Sequence, residues 1–217
     1  TKQMANGTYN FPKVRFDVAV AITNTSPTGA YRGAGRPEAT ALIERAMDQA
    51  SIELGIDPLE IRRRNFIQSD QFPFDTLTGW TYDTGDYITS MEKAAEIIGY
   101  DDLREQQRQR REQGSYRALG IGVASYVEVT SGGGGSEYAS LEIHDDGTAT
   151  MKAGTSAHGQ GHQTSFAMIV SEHTGIPVES ITLVQSDTDI VPRGGGTGGS
   201  RSLQLGGSAV KEATDAV

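Results

Sequence analysis

Three times along this chain a glycine-rich stretch runs straight into a helical pattern. Residues 29–39 read GAYRGAGRPEA, residues 159–165 read GQGHQTS and residues 194–202 read GGGTGGSRS. A helix N-terminus leaves backbone N–H groups unpaired and carries partial positive charge. Glycine lets those donors approach a phosphate closely. Each stretch is therefore a candidate anion site. Thr197, Ser200 and Ser202 add hydroxyl donors to the third, and Arg201 adds a cation. One glycine-rich turn alone more often just ends a strand. Three of one type point to a single polyanionic ligand with several handles, because one nucleotide phosphate would not need three loops.

The segments around these loops predict a mixed fold. Val14, Phe16, Val18, Val20 and Ile22 alternate with Arg15, Asp17, Ala19 and Ala21, the pattern of a strand with one buried face. Ala39, Leu42, Ile43, Ala46, Met47, Ala50 and Leu54 follow at helical spacing, with Pro37 suited to the start and Gly55 to the stop. DPLEIRRRNFI offers Asp57 as N-cap, Pro58 at the first position and Glu60 at the third. Its Arg62, Arg63 and Arg64 read as a solvated helix face. The stretch 69–114 is turn-rich and aromatic, then helical, then strongly charged as DDLREQQRQRREQG, which reads as a solvated helix or a mobile connector. RALGIGVASYVEV predicts a buried strand. Asp146-Gly147 lies between two alternating runs and predicts a hairpin. A helix ending at Gly175, a strand over VESITLVQSDTD and a last helix complete the chain. The expected architecture is α+β: two mixed α/β lobes, residues 1–68 and 115–217, joined by a helical connector at 69–114.

Composition removes several classes of function. Lys and Arg number 19 against 28 Asp and Glu, a formal charge of −9, so nucleic acid is a poor partner. There is no cysteine, hence no disulfide, thiolate nucleophile or iron–sulfur ligand. A cytoplasmic location is expected, and no apolar run reaches membrane-spanning length. No G-x-x-x-x-G-K-[ST] occurs, and GIGVAS at 120–125 lacks the third glycine of a dinucleotide fingerprint. His158 and His162 are four apart, but Gly159 and Gly161 favour loop and no acidic third ligand stands at metal-site spacing, so no metal ligand is assigned. Asp187 and Asp189 read as a turn cap. The chain starts at Thr1 and stops within a helical pattern, and is expected to be a piece of a longer polypeptide.

The ordered set TNTSPTGAYRGAGRPEA, GIDPLEIRRRNFI, GQGHQTSFAMIVSEHTGIPVESITLVQSDTD and GGGTGGSRS resembles the molybdenum-binding large subunit of the xanthine dehydrogenase, aldehyde oxidoreductase and carbon monoxide dehydrogenase family. The resemblance covers nearly the whole chain, which looks like the middle of a much longer subunit. It implies a molybdopterin-binding region and hydroxylation of an aldehyde or N-heteroaromatic C–H bond with water-derived oxygen. The cofactor implied is molybdopterin cytosine dinucleotide with molybdenum. FAD and iron–sulfur clusters would sit on partner subunits, and the remainder of the large subunit would complete the fold.

By the same resemblance, Tyr31, Arg32, Gly33 and Ala34 would lie beside the molybdenum, with Arg32 as the catalytic cation and Ala34 where some relatives carry a substrate-stacking phenylalanine. Gln160 would hydrogen-bond the pterin between Gly159 and Gly161. Thr197, Gly198, Gly199, Ser200, Arg201 and Ser202 would contact the dinucleotide or the metal surroundings. Relatives that oxidise carbon monoxide read AYRCSF in the first loop, whereas this chain has Gly33 and reads like the second form of that subunit. The family's glutamate base, in G-x-G-E, is absent from these 217 residues, so the fragment by itself is expected to be inactive. A non-catalytic cofactor-binding or assembly module, a generic phosphate-binding domain and a carbon monoxide dehydrogenase-like protein of undefined substrate remain open alternatives.

Overall fold

The computed structural model of the chain describes residues 2–27, 29–130 and 134–217. Thr28, in the stretch before AYRGAG, and residues 131–133, in the SGGGGS stretch, lie outside the described residues. The chain divides into two compact units, Thr1–Glu128 and Val129–Val217. Helices and strands mix in both, so the fold is α+β.

The first unit is built on four helices: α1 (Arg36–Leu54), α2 (Pro58–Asn65), α3 (Tyr87–Ile98) and α4 (Tyr100–Glu112). Their limits follow from local chemistry. Gly55, at φ 63°, closes α1 by donating its N–H to Ile52 and Ser51 carbonyls. The Asp57 carboxylate accepts from the Leu59 and Glu60 N–H groups and so starts α2. Gly99, at φ 64°, ends α3 and begins α4 in one residue. A short antiparallel pair, β1 (Phe74–Asp75) and β2 (Thr81–Tyr82), precedes α3. The core gathers Tyr9, Met47, Leu59, Ile61, Phe66, Met91 and Tyr100. The stretch 69–114, read above as a connector, thus contributes Met91 and Tyr100 to this core. Its charged end is helical as α4.

Two sequence expectations change here. Arg62 is not on a solvated face: it is fully buried. Its Nε lies 2.9 Å from Glu44 Oε2, and its Nη2 donates to Asp48 Oδ1 and to the Val123 carbonyl, each at 2.9 Å. A run of like charges shows the period of a helix but not which face its neighbours cover. The second change concerns strands. Residues 14–22 and 117–129 form no ladder among the described residues. Val18, Val20 and Ile22 are exposed at 69%, 89% and 99%. Alternation prepares a strand, but only a hydrogen-bonding neighbour makes one. Along 121–127 the alternation survives as burial: Ile121, Val123, Ser125 and Val127 are half-buried while Gly122, Ala124 and Tyr126 are exposed. Helix side chains meet this segment's backbone instead of a strand. Gln107 donates to the Leu119 carbonyl (2.8 Å) and Glu44 accepts from the Ser125 N–H (3.0 Å).

The second unit is a three-stranded sheet in the order β3 (Ala139–Ile143), β4 (Ala149–Ala153), β5 (Ile181–Val184). The predicted hairpin joins β3 to β4, with Ile143 opposite Ala149. Helix α5 (His162–Thr174) then carries the chain over to β5, which runs parallel to β4. Helix α6 (Ser208–Asp215) follows a π-helical turn over Ser202–Gly207. Ala149, Met151 and Ala153 of the middle strand pack against Phe166, Ala167 and Val170 of α5 and Val210 of α6. Among the described residues, no helix is long and apolar enough to cross a membrane.

Candidate functional site

In the second unit the parallel pair β4 and β5 sends both its C-terminal loops to one end of the sheet, where open α/β sheets hold ligands. The loop after β4 contains GQGH and the loop after β5 leads to GGGTGGSRS. They are stitched together. Ser156 Oγ is 2.7 Å from Ser186 Oγ, the Gly196 N–H donates to the Gly154 carbonyl (3.2 Å) and the Ser156 N–H donates to Thr197 Oγ1 (3.4 Å). Thr197 Oγ1 lies 3.1 Å from Ser202 Oγ. Two of the three predicted loops therefore share one site.

Glycines in this site do two different jobs. A Cβ on Gly154 or on Gly194 would strike the other residue's backbone or its neighbour's at 2.7 Å, and one on Gly206 would meet Thr155 Cγ2 at 2.7 Å. Those positions let chain lie on chain. Gly159, Gly161, Gly198 and Gly199 have nothing within 4 Å of an added Cβ. They border open space instead. Gly161, at φ 75°, precedes the 13-residue helix α5 and has no side chain to cap it, so the first-turn N–H donors find no side-chain acceptor among the described residues. Gln160 folds its carbonyl back onto the His158 N–H, which closes the GQGH turn. Arg201 donates from Nη2 to the Gly195 carbonyl (2.7 Å), yet its buried Nε has no hydrogen-bond partner among the described residues.

The third loop, AYRGAG, belongs to the first unit. The Ala34 N–H donates to the Tyr31 carbonyl (2.5 Å), and three successive residues, Gly33, Ala34 and Gly35, have φ of 96°, 46° and 88°. Ala34 in this left-handed region costs about 1 kcal/mol or more. Gly33 is obligatory: a Cβ there would lie 2.6 Å from Cγ and Cδ of Pro37. Tyr31 is 86% exposed, and Arg32 is exposed beside it.

These features match known proteins. A model of the molybdopterin cofactor-binding domain fits residues 93–217, and a second model of the same description fits residues 1–66. The chain belongs to the molybdopterin cofactor-binding domain family. Its sequence is 38% identical over 220 residues to the carbon monoxide dehydrogenase large chain of Hydrogenophaga pseudoflava, covering 95% of this chain and 27% of that one. Its fold matches the reconstituted CO dehydrogenase of Oligotropha carboxidovorans with a TM-score of 0.77 at 31% identity, over 98% of this chain and 28% of the other. Quinoline 2-oxidoreductase from Pseudomonas putida 86 superposes with a TM-score of 0.80 at 29% identity, again over 98% of this chain and 28% of the other. The chain thus spans about a quarter of the length of these relatives.

A molybdopterin cofactor suits the residues present. A phosphate would need donors without a partner in the chain, and among the described residues Arg201 Nε and the uncapped start of α5 offer them. Among the described residues no three His, Cys, Asp or Glu side chains are grouped to hold a metal ion. His162 is buried, stacked on Phe166 with ring centroids 5.0 Å apart, and its Nδ1 is 3.3 Å from Thr155 Oγ1. It ties the start of α5 to Thr155, just past the end of β4. Asp187 accepts from the Asp189 N–H (2.9 Å), the turn cap expected of that pair.

Sequence reading missed three contributors to this loop cluster. Buried Glu137 accepts from the Gly195 N–H through both oxygens (3.3 and 3.2 Å) and pins the glycine loop. Gln185, with its amide oriented to satisfy both ends, donates to the Thr155 carbonyl and accepts from the Ala157 N–H, each at 3.2 Å. Thr155, buried under Gly206, is the third. Glu137 directly follows the glycine run 132–135 and Ser136, and that placement was the one available signal.

Proposed function

We propose that this chain is the cofactor-holding part of a molybdenum hydroxylase large subunit acting on an aldehyde or N-heteroaromatic substrate. The observation that carries this reading is the stitched pair of loops at the C-terminal end of β4 and β5, with unused donors at Arg201 Nε and the start of α5. When bound, the cofactor supplies two-electron oxidation of a C–H bond with water-derived oxygen. The protein's share is placement and electrostatics.

In this reading the ligand is molybdopterin cytosine dinucleotide. Its pyrophosphate takes the donors of Thr197, Gly198, Gly199, Ser200, Arg201 and Ser202. Gln160 would hydrogen-bond the pterin, with Gly159 and Gly161 allowing close backbone approach. Tyr31, Arg32, Gly33 and Ala34 border the substrate, and the Arg32 guanidinium stabilises charge developing there. The proton-abstracting glutamate comes from the remainder of the large subunit. Partner subunits holding iron–sulfur clusters and FAD would take the electrons, and a cytoplasmic location belongs to the same reading. The Pro37 ring leaves no room for a thiol at position 33, which supports a substrate other than carbon monoxide.

The test uses the full-length subunit in its complex. Metal analysis and nucleotide extraction should return molybdenum and a cytidine-containing pterin; phosphate alone would end the reading. Arg32→Ala should lower turnover more than it lowers molybdenum content. Equal turnover at full loading would remove Arg32 from the reaction.

A further inference from the structure

The Gly33 carbonyl accepts two hydrogen bonds from one residue: from the Arg36 main-chain N–H (3.1 Å) and from Arg36 Nη1 (3.3 Å). Nε of the same guanidinium lies 3.1 Å from Glu128 Oε1, with the two side chains 20% and 37% exposed. Glu128 lies in the ladder-free segment 117–129, and that segment is fixed to the helices at three points. Gln107 holds the Leu119 carbonyl, Arg62 holds the Val123 carbonyl and Glu44 holds the Ser125 N–H. A carboxylate on an anchored backbone thus meets the cation that grips the AYRGAG turn.

We infer that Glu128 is a positioning residue for the AYRGAG loop, acting through Arg36. The loop needs such a brace. It holds three successive residues at positive φ, including the non-glycine Ala34, a conformation that persists only when its surroundings hold it. Its own backbone supplies a tight turn from Tyr31 to Ala34 and the first bond of α1, and the Arg36–Glu128 pair adds a charge-assisted tie to Gly33, the residue at the centre of the turn. Glu128 lies 95 positions along the chain from Gly33, so no local pattern links them. The functional weight of this brace rests on the proposed role of the loop beside the cofactor; the brace itself does not.

The experiment compares wild type, Glu128→Gln, Arg36→Gln and the double variant in the full-length subunit. Amide hydrogen exchange is read at Ala34 and Arg36, whose N–H groups close the turn, and within α1 as a folding control. Kinetics and molybdenum content are measured on the same samples. Glu128→Gln is expected to speed exchange at Ala34 and Arg36 by roughly tenfold, the factor set by losing one charge-assisted contact, with α1 unchanged. Because Glu128 acts through Arg36, the double variant should open the loop no more than Arg36→Gln alone. Exchange at the wild-type rate in Glu128→Gln, or effects of the two substitutions that multiply, would overturn the inference. Faster exchange with turnover and molybdenum content unchanged would uphold the brace and count against the loop's proposed place in the reaction.

Discussion

Gly33 and Pro37 are locked together: the glycine turns at φ 96° directly over the proline ring, and a Cβ would come within 2.6 Å of two ring carbons. The loop shape and the start of α1 are one unit. Gly33→Ala is expected to lower turnover of the full-length enzyme by about tenfold or more, the effect of 1–3 kcal/mol of backbone and steric strain. Adding Pro37→Ala removes the clash but not the positive φ, so it should recover part of the loss. Steady-state kinetics on the single and double variants decides this, and a double variant as slow as the single would mean that the ring is not the obstacle.

The two kinds of glycine in the second unit should respond differently to a methyl group. Gly206→Ala meets Thr155 and Phe166 and should cost about 1–3 kcal/mol of stability. Gly198→Ala meets nothing within 4 Å, so stability should change by less than about 0.5 kcal/mol. Its effect should fall on cofactor retention instead, measured as molybdenum per subunit after dilution. Unchanged retention would mean that Gly198 does not face the ligand.

Arg62 is a buried side chain of the first unit tied to Glu44, Asp48, Pro58 and Val123. Burial opposes its charge, but the hydrogen bond to Asp48 and the charge of Glu44 outweigh it and raise its pKa. Arg62→Met strands the buried Glu44 carboxylate and should cost about 3–5 kcal/mol in urea denaturation. Glu44→Gln in the same background should restore part of that, since the stranded charge is then gone.

Alkaline pH should loosen the first unit through Tyr9. Its hydroxyl donates to Glu44 (2.5 Å), and burial, then this bond, hold the phenol well above its usual range. The unfolded phenol titrates near about 10. Above that pH the folded state keeps a proton the unfolded state has lost, so stability falls as pH rises, by up to about 1.4 kcal/mol per unit for one group. Tyr9→Phe removes this share and should flatten the decline of the urea midpoint between about pH 9 and about pH 11. Parallel slopes would show that Tyr9 does not carry it.

Much of this was written in local residue patterns. Asp57 and Gly55 set the ends of helices, Asp146-Gly147 set the hairpin and Gly175 closed α5, because caps and turns depend on residues within four positions of each other. The glycine-rich loops were visible for the same reason, and their order along the chain was enough to indicate the family. Strand pairing was not visible in this way. Residues 14–22 carry a strand's alternation yet find no ladder among the described residues, since a strand is completed by a neighbour that its own sequence does not name.

What the sequence by itself determined is α1, α2, α3, α5 and α6, the hairpin and the three glycine-rich loops, while it left 101–114 open between helix and connector. Tertiary structure alone decided that Arg62 is buried rather than solvated, that Glu137 pins Gly195 and that Glu128 reaches the turn at Gly33 through Arg36. It also sorted the glycines that pack chain on chain from those that face open space. The physical reason is separation: Arg62 and Glu44 are 18 positions apart, Glu137 and Gly195 are 58 apart and Glu128 and Gly33 are 95 apart, distances at which composition and period carry no record of which groups meet.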